Sequence, residues 1–170
     1  MVFQMKVLRI SCFGLLLACS VVPRVAAADL ITFWDSRQKG GNSFNEAPPD
    51  EAYFRALART GATWVRLTFS KWKGEGRDFL IGNADRYEAL QPKDLAKLRK
   101  VLDAAAAAGL KVVVVPLTLP GARWVQQNGN KVDDRVWSQP AYGEQAVRFW
   151  GDLAAALKDH PAIAAYNLLN

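Results

Sequence analysis

Cysteine and histidine are scarce in this sequence of 170 residues, which contains two cysteines and one histidine. Both cysteines, Cys12 and Cys19, lie in the first 28 residues, so the rest of the chain has no disulfide and no cysteine-based metal or nucleophile site. A glycine-rich phosphate loop is also missing, because Gly40-Gly41 is followed by Asn-Ser-Phe-Asn and not by a G-x-G-x-x-G pattern. This absence argues against an open, doubly wound nucleotide-binding sheet.

The excess of positive over negative charge is also small. The chain carries 22 lysines and arginines against 16 aspartates and glutamates, a formal net charge of +6. Three of the basic residues, Lys6, Arg9 and Arg24, lie in the first 28 residues, which leaves +3 on residues 29–170. We therefore expect no nucleic-acid partner. With 51% hydrophobic and 22% charged residues, the composition is that of an ordinary globular chain, one domain or part of one.

The first 28 residues have the pattern of an export signal. Two positive charges precede an apolar run over residues 10–23, and residues 24–28, Arg-Val-Ala-Ala-Ala, end in the small residues of an A-x-A cleavage site. The run is shorter than the roughly 20 residues of a spanning helix, so we expect no membrane span. Cleavage after Ala27 or Ala28 predicts a secreted or periplasmic protein. Alternatively, Leu16-Leu-Ala-Cys19 resembles a bacterial lipoprotein signal, which would anchor the chain through a lipid on Cys19.

Beyond the signal, short apolar runs alternate with amphipathic stretches. The apolar runs show little polar alternation, which is typical of strands covered on both faces, and they cover residues 62–69, 111–117 and 162–169. Helices are predicted where apolar residues recur at helical spacing between Gly or Pro residues, over residues 50–60, 92–108 and 141–158. Helices between successive buried strands predict βαβ units, and hence an α/β fold with a parallel sheet.

The segments that follow the predicted strands are much longer than those that precede them. Residues 70–91 and 118–140 are both expected at the carboxyl end of a parallel sheet, where α/β folds place their sites. Flat aromatics beside amide and carboxylate side chains suit a sugar, which has apolar ring faces and hydroxyl edges. The side chains of this kind in the two segments are Trp72, Arg77, Asp78, Arg86, Trp124, Gln126, Gln127, Asn128, Asn130, Asp133, Asp134 and Trp137.

Arg66 stands in the middle of an otherwise apolar strand, on the same face as Trp64 and Thr68. A strand in a sheet interior can hold an arginine only if a carboxylate or several other acceptors meet its five donors, because an unpaired buried charge is too costly. Arg66 therefore predicts a partner. The alternative is a guanidinium that reaches the surface at the strand end.

Several of these motifs, in their order and spacing, resemble the first half of a glycoside hydrolase family 5 domain, the cellulase-like group. They are residues 39–44 (Lys-Gly-Gly-Asn-Ser-Phe), 61–67 (Gly-Ala-Thr-Trp-Val-Arg-Leu), 108–115 (Ala-Gly-Leu-Lys-Val-Val-Val-Val) and 160–170 (His-Pro-Ala-Ile-Ala-Ala-Tyr-Asn-Leu-Leu-Asn). The resemblance implies a (β/α)8 TIM barrel that is truncated after the fourth strand, formed by residues 29–170. It also implies a short extra strand around residues 31–34.

The resemblance also implies roles for particular residues. Arg66 matches an arginine that contacts the catalytic nucleophile, and Asn170 matches the asparagine that precedes the acid/base glutamate in that family. The acid/base residue would follow Asn170 directly and the nucleophile would end the seventh strand, so neither carboxylate is in this chain. Where the family often has a histidine after the third strand, this chain offers Thr118 or a neighbour. His160 precedes a proline at a helix end, a position that favours capping over catalysis.

The hypothesis that follows is a secreted retaining glycosidase acting on a β-linked glucan or mannan, present here without its catalytic carboxylates. No metal or organic cofactor is implied, and we expect a monomer at full length. The expected substrate-binding side chains are Trp34, Asn42, Phe44, Asn45, Trp72 and Trp124. The alternative is a secreted carbohydrate-binding protein with a glycosidase-like scaffold and no turnover.

Overall fold

The computed structural model describes residues 32–168. The predicted signal segment, Cys19 and Asn170 therefore lie outside the described residues. Between residues 35 and 168, four strands and four α-helices follow one another. In order they are β1 (Gly40–Ser43), α1 (Glu51–Arg59), β2 (Trp64–Thr68), α2 (Pro92–Ala107), β3 (Lys111–Val115), α3 (Arg135–Ser138), α4 (Pro140–Leu157) and β4 (Ile163–Tyr166). None of the described helices is both long and apolar enough to span a bilayer.

The four strands form one parallel sheet in the order β1-β2-β3-β4. In register, Asn42 of β1 lies beside Arg66 of β2, which lies beside Val113 of β3. Each strand thus pairs with the strand that directly precedes or follows it in the chain, across a helical connection. The α/β class and the parallel sheet predicted from the alternation of elements are confirmed.

The helix ends follow from local sequence signals. The Asp50 carboxylate accepts a hydrogen bond from the backbone N–H of Tyr53 at 2.9 Å and so caps α1. Helix α2 opens with Pro92, whose missing N–H would have no partner in the first turn. Gly61 and Gly109 follow α1 and α2 with positive φ values of 82° and 75°, the left-handed conformation that ends helices and that glycine adopts without strain.

One face of the sheet carries the hydrophobic core. Val65 and Leu67 of β2 and Val112 of β3 are fully buried under the helices. The helices contribute large side chains that are equally buried; these are Phe54 of α1, Leu98 and Leu102 of α2, and Phe149, Leu153 and Leu157 of α4. Parallel strands joined in sequential order by crossovers of one hand place every connecting helix on the same side, which explains the single covered face.

The opposite face is covered less completely than the apolar runs predicted. Trp64, Arg66, Val113 and Ala165 point to this face and are only half-buried by the described residues. The expectation that both faces of the strands are covered is therefore wrong for this face within residues 32–168. The cause is that the connecting helices α1, α2 and α4 all pack on the other face.

Residues 32–34 form a helical turn, so the strand expected around residues 31–34 is wrong where the structure describes it. The turn is closed by a hydrogen bond from the Asp35 N–H to the Thr32 carbonyl at 3.3 Å. It places the Trp34 ring against the edge of Trp64, with 5.6 Å between ring centroids, and its Nε1 donates to the Ala164 carbonyl at 3.4 Å. Trp64 is the first residue of β2, so Trp34 packs at the amino end of the sheet.

The long loop between β2 and α2 is held by a carboxylate from the first turn of α2. Asp94 is buried, and its Oδ2 accepts from the backbone N–H of Leu80 at 3.0 Å and its Oδ1 from that of Glu75 at 3.2 Å. Leu80 has a φ of 73°, a left-handed conformation that a leucine adopts only when its surroundings hold it there. Asp94 therefore stabilises the strained part of this loop.

We predict that Asp94→Ala lowers the free energy of unfolding by about 2 kcal/mol, because it leaves the buried Leu80 N–H without an acceptor. Urea denaturation followed by tryptophan fluorescence measures the change. Asp159→Ala removes an exposed carboxylate beyond the end of α4 and should change stability by less than about 0.5 kcal/mol. Equal stability of the Asp94 variant and the wild type would contradict this account of the loop.

Candidate functional site

The carboxyl ends of the four strands meet at one edge of the sheet, and Arg66 lies on the open face near this edge. Its Nε and Nη2 donate to the Asn167 Oδ1 at 3.2 and 3.0 Å, and its Nη1 donates to the Asn42 Oδ1 at 3.4 Å. Asn42 belongs to β1, and Asn167 directly follows β4. The Arg66 guanidinium is thus held between a side chain of the first strand, β1, and one that follows the last strand, β4. It does not extend into bulk solvent.

This geometry has a chemical consequence. A guanidinium is charged at neutral pH, and its rigid planar fork suits the recognition of a carboxylate or another oxygen ligand. The sequence predicted that Arg66 needs acceptors, and the two carboxamides provide them. Asn167 was not among the predicted site residues, which named Asn170 instead. The sequence signal for Asn167 is a polar residue that interrupts the apolar segment around the fourth strand.

A second cluster lies where β1 and the loop after β3 come together. Phe44, which follows β1 and is 39% exposed, packs edge-on against Trp124 with 5.3 Å between ring centroids. The Lys71 Nζ stands 4.2 Å from the centroid of the Phe44 ring, a cation–π arrangement. Phe44 and Trp124, both predicted as substrate-binding, are therefore neighbours at the carboxyl edge. Asn45 directly follows Phe44 in the loop after β1 and is half-buried.

Two other predicted platforms are not available for a ligand at this edge. Trp72 is 3% exposed and packs against Phe69 and Phe79, with centroid distances of 6.0 and 5.3 Å, so its indole belongs to the core. Trp34 is 41% exposed but packs on Trp64 at the amino end of the sheet. The expectation that Trp72 stacks on substrate is therefore wrong, whereas the role expected for Trp34 stays a prediction. A tryptophan in a long loop carries no mark of which neighbours will cover it.

A buried ion pair joins the two long loops. Arg123, in the loop after β3, is 4% exposed, and its Nε and Nη2 donate to the carboxylate of Asp78 in the loop after β2 at 3.0 and 2.9 Å. Its Nη2 also reaches Asp85 at 3.0 Å and the Asn83 side-chain oxygen at 3.0 Å. The hydrogen bonds to Asp78 and, to a smaller extent, to Asp85 raise the pKa of Arg123 above its already high ordinary value, so the guanidinium stays charged.

A second arginine extends this cluster. The Arg135 Nε donates to the Asp133 Oδ1 at 2.6 Å, and its Nη2 donates to the Asp85 Oδ1 at 2.7 Å. The Arg135 guanidinium lowers the pKa of Asp133 from 3.8 to about 2. Hydrogen bonds from Arg123 and Arg135 lower the pKa of Asp85 as well. Below, "the arginine cluster" means Asp78, Asp85, Arg123, Asp133 and Arg135.

The arginine cluster determines where Trp124 lies, because Trp124 directly follows Arg123 in the chain. The Trp124 backbone N–H also donates to the Thr118 hydroxyl at 3.2 Å, and the Gln127 side chain donates to the Ser70 carbonyl. The first bond lies within the loop after β3, and the second ties this loop to the end of β2. Thr118, suggested as a possible replacement for a substrate-contacting histidine, thus positions Trp124 through its hydroxyl.

The polar residues of the long loops are therefore used differently from what the sequence suggested. Asp78 and Asp133 were expected beside a sugar, but both are engaged by arginines, and Asp78 is buried. Arg123, which organises the cluster, was not singled out. Its partner Asp78 lies 45 positions earlier in the chain, and a pairing over that distance leaves no local pattern.

His160 lies away from this edge. Its Nδ1 accepts from the Ala162 N–H at 3.2 Å, in the turn that leads into β4, and its Nε2 lies 3.1 Å from the Asp103 carboxylate. These two contacts stabilise the turn between α4 and β4. Among residues 32–168, no three histidine, cysteine or carboxylate side chains are grouped as a metal site would require.

Comparison with known proteins finds similarity in structure only, since no family model and no curated protein sequence matches the chain. The endoglucanase Cel5A from Pseudomonas stutzeri matches with a TM-score of 0.52 and 22% identity, over 72% of this chain and 33% of the endoglucanase. In complex with cellobiose, the same enzyme matches with the same score and identity, over 32% of its length. GH5_18 from Streptomyces cattleya, in complex with GlcNAc, has a TM-score of 0.50 and 20% identity, over 78% of this chain and 34% of that one.

These likenesses show the fold. The four parallel strands and their helices form an α/β unit that matches part of these enzymes, and the resemblance to glycoside hydrolase family 5 indicated by the sequence motifs is confirmed at that level. The chain spans about a third of the length of the solved chains it matches.

The low pKa of Asp133 predicts how the arginine cluster responds to pH. A carboxylate whose pKa is lower in the folded state adds stability above its ordinary pKa and loses that contribution as the pH falls through its folded value. We therefore expect Arg135→Gln to be less stable than the wild type at pH 6, with a difference that shrinks between pH 4 and about pH 2. Thermal unfolding at stepped pH measures the difference.

The control for this experiment is Arg86→Gln. Arg86 pairs only with Glu88 within the described residues, and both side chains are largely exposed, so its substitution should change stability little at any of these pH values. A destabilisation by Arg135→Gln that stays constant from pH 6 to pH 2 would show that Asp133 does not depend on Arg135 for its ionisation.

Proposed function

We propose that the full-length protein is a secreted retaining glycoside hydrolase that acts on a β-linked glucan or mannan. The observation that carries the proposal is Arg66, held by Asn42 and Asn167 at the carboxyl edge of a parallel sheet whose fold matches an endoglucanase. In this proposal residues 1–28 are a signal peptide, and residues 29–170 supply the first four strands of a (β/α)8 barrel. Polypeptide beyond Asn170 supplies the other four.

The open face of the sheet supports the barrel. Strands in sequential order, with all connecting helices on one side, have the arrangement from which a (β/α)8 barrel is built, whereas a doubly wound sheet covers both faces with helices. Trp64, Arg66, Val113 and Ala165 would then point to the barrel interior. Further strands would cover these side chains and would complete the site at the carboxyl end.

The proposed chemistry is double displacement between two carboxylates about 5 to 5.5 Å apart. One carboxylic acid protonates the leaving glycosidic oxygen while the other carboxylate forms a bond to the anomeric carbon. Water then attacks that carbon, the bond between the carbon and the nucleophilic carboxylate breaks, and the first group takes the water proton. The enzyme is regenerated, and the sugar is released with retained configuration. In this proposal the acid/base residue follows Asn170 directly and the nucleophile ends the seventh strand.

Arg66 would act on the nucleophile. A guanidinium within a few ångströms of a carboxylate favours its charged form and lowers its pKa, so the nucleophile would be ionised at neutral pH. The side chains of Asn42 and Asn167 orient the Arg66 guanidinium at the carboxyl edge, where the nucleophile would approach it. Asn170 would bind the 2-hydroxyl of the sugar at the cleavage subsite, an interaction that strengthens as positive charge develops on the ring.

Substrate would lie against the aromatic pair of exposed Phe44 and half-buried Trp124. Trp124 and Phe44 border the carboxyl edge and present apolar surface, while Asn42 and Asn45 offer amide groups for hydroxyls. The ion pairs of Arg123 and the hydrogen bond from the Trp124 N–H to Thr118 fix the backbone at Trp124, so the platform would be in place before substrate binds. Rigid platforms lose little conformational entropy on binding.

A second candidate function is carbohydrate binding without turnover. It is favoured by the commitment of the loop carboxylates Asp78, Asp85 and Asp133 to the arginine cluster, which leaves them unsuited to acid/base catalysis. The two candidates are separated by incubating the full-length protein with β-1,4-glucan and β-1,4-mannan. Release of reducing ends with retained anomeric configuration in NMR supports the hydrolase, and binding without release supports the second candidate.

For Arg66 we expect Arg66→Lys to lower kcat by about 100-fold, the scale on which losing an oriented electrostatic contact slows an enzyme. Lysine keeps the charge but cannot form the planar fork that meets Asn42 and Asn167 together. The pH dependence of kcat/KM should show the acidic limb moving to higher pH, because the nucleophile loses its oriented cation. Unchanged kcat and pH profile would exclude a role for Arg66 at the nucleophile.

For the platform we expect Trp124→Ala to raise KM about tenfold with little change in kcat. Covering about 50 Å² of indole surface is worth about 1.3 kcal/mol, which is close to a factor of ten. Trp72→Phe is the matched control: it should lower the melting temperature and leave KM as in the wild type, because Trp72 lies in the core. A KM that responds equally to both substitutions would contradict the distinction between platform and core.

A further inference from the structure

A groove of about 660 Å³ lies beside the aromatic pair at the carboxyl edge. It runs between the loop after β1, the start of the loop after β2, helix α2 and the loop after β3. The side chains that line it, called here the lysine groove, are Glu46, Ala47, Pro48, Lys71, Lys73, Lys97, Trp124, Gln126 and Gln127. Trp124 and Lys71 also contact Phe44, so the lysine groove continues directly from the proposed substrate platform.

Three ammonium groups and one carboxylate line this groove. Within residues 32–168, neither Lys71, Lys73 nor Lys97 lies within ion-pairing distance of a carboxylate, and Glu46 pairs with no cation there. Nearby Lys93, by contrast, is paired with Glu75 at 3.0 Å. The lysine groove therefore has a surplus of positive charge that this part of the chain does not neutralise.

Two of the lysines are also held in place. The Lys97 Nζ donates to the Lys73 carbonyl at 2.9 Å and stands 5.6 Å from the centroid of the Phe79 ring. The Lys71 Nζ lies over the Phe44 ring. Both lysines are half-buried. Like charges gathered in a concave surface with apolar walls repel one another and raise the local positive potential, which attracts an anion from solution.

A neutral glucan or mannan would not use this charge. The remaining lining groups suit a sugar, since Trp124 offers an apolar face and Gln126 an exposed amide that can meet hydroxyls. A ligand that matches both features is a sugar unit with an anionic substituent. We propose that the lysine groove is a subsite for an acidic saccharide unit, whose carboxylate or sulfate is bound by Lys71, Lys73 and Lys97.

This proposal rests on the proposed function and specifies its substrate. The polymer would be a β-linked polysaccharide that carries acidic units near the cleavage point, and the neutral platform of Phe44 and Trp124 would bind the adjacent ring. Charged substituents would then contribute to affinity and to the rate of encounter, and both effects would weaken with added salt.

Matched oligosaccharides that differ only in charge test the proposal on the full-length protein. Binding by calorimetry is compared for β-1,4-linked cellotetraose and tetraglucuronate, and for β-1,4-linked mannotetraose and tetramannuronate. In 20 mM salt we expect the acidic member of one pair to bind at least about tenfold more tightly than its neutral partner, with most of this preference lost in 500 mM salt. A sulfated cellotetraose shows whether sulfate serves as well as carboxylate.

The double variant Lys73→Gln/Lys97→Gln removes two of the charges and keeps polar side chains of similar length. We expect it to reduce the preference for the acidic probe to less than about threefold while its affinity for the neutral probe stays within a factor of two. The control is Lys100→Gln/Lys158→Gln, which removes two exposed lysines outside the groove and leaves net charge equal to that of the test variant. The control should keep the full preference, and melting temperatures check that both variants are folded.

Several outcomes would overturn the proposal. They are equal affinity for acidic and neutral probes, an equal loss of preference in the control variant, or equally tight binding of polyglutamate, which would indicate a general polyanion surface. Failure of the proposed function looks different: in that case no oligosaccharide, neutral or acidic, binds or is cleaved. Cleavage of neutral probes with no acidic preference would reject only the lysine groove as an acidic subsite.

Discussion

The burial of the Arg123 guanidinium is the constraint on which the candidate site depends. An arginine that is almost entirely removed from water needs carboxylates in the correct geometry, because its desolvation would otherwise be prohibitive. Asp78 and Asp85 meet this need from the loop after β2, so two loops that are distant in the chain have to come together. The position of Trp124, and with it the wall shared by the platform and the lysine groove, follows from that pairing.

The sheet provides the second half of the site through its asymmetry. Its covered face is an apolar interior packed with helices, whereas its open face presents Arg66 between two asparagines. A cation at this position acts electrostatically on any group that approaches the carboxyl ends of the strands. The two faces of the sheet thus have different roles: the covered face stabilises the fold, and the open face holds Arg66 in a defined position.

Local signals in the sequence were enough for the framework. The apolar stripe of α1, the proline that opens α2 and the glycines that close both helices depend on neighbours a few positions away, and the strands follow from uninterrupted apolar runs. The site was less predictable. Arg66 was recognisable because a charge inside a strand conflicts with its surroundings, but Trp72 and Trp124 occur in similar loops and differ only in what packs on them. Arg123 and Asp78 are paired through the tertiary fold, which no local pattern encodes.

The sequential order of the strands also bears on how the molecule is assembled. Strands β2, β3 and β4 each pair with the strand that directly precedes them in the chain, so each new unit can dock on structure that has already left the ribosome, at a synthesis rate of about 5 to 20 residues per second. Translation would then set the order of folding, from the amino-terminal strand and helix, β1 and α1, towards the later strands and helices.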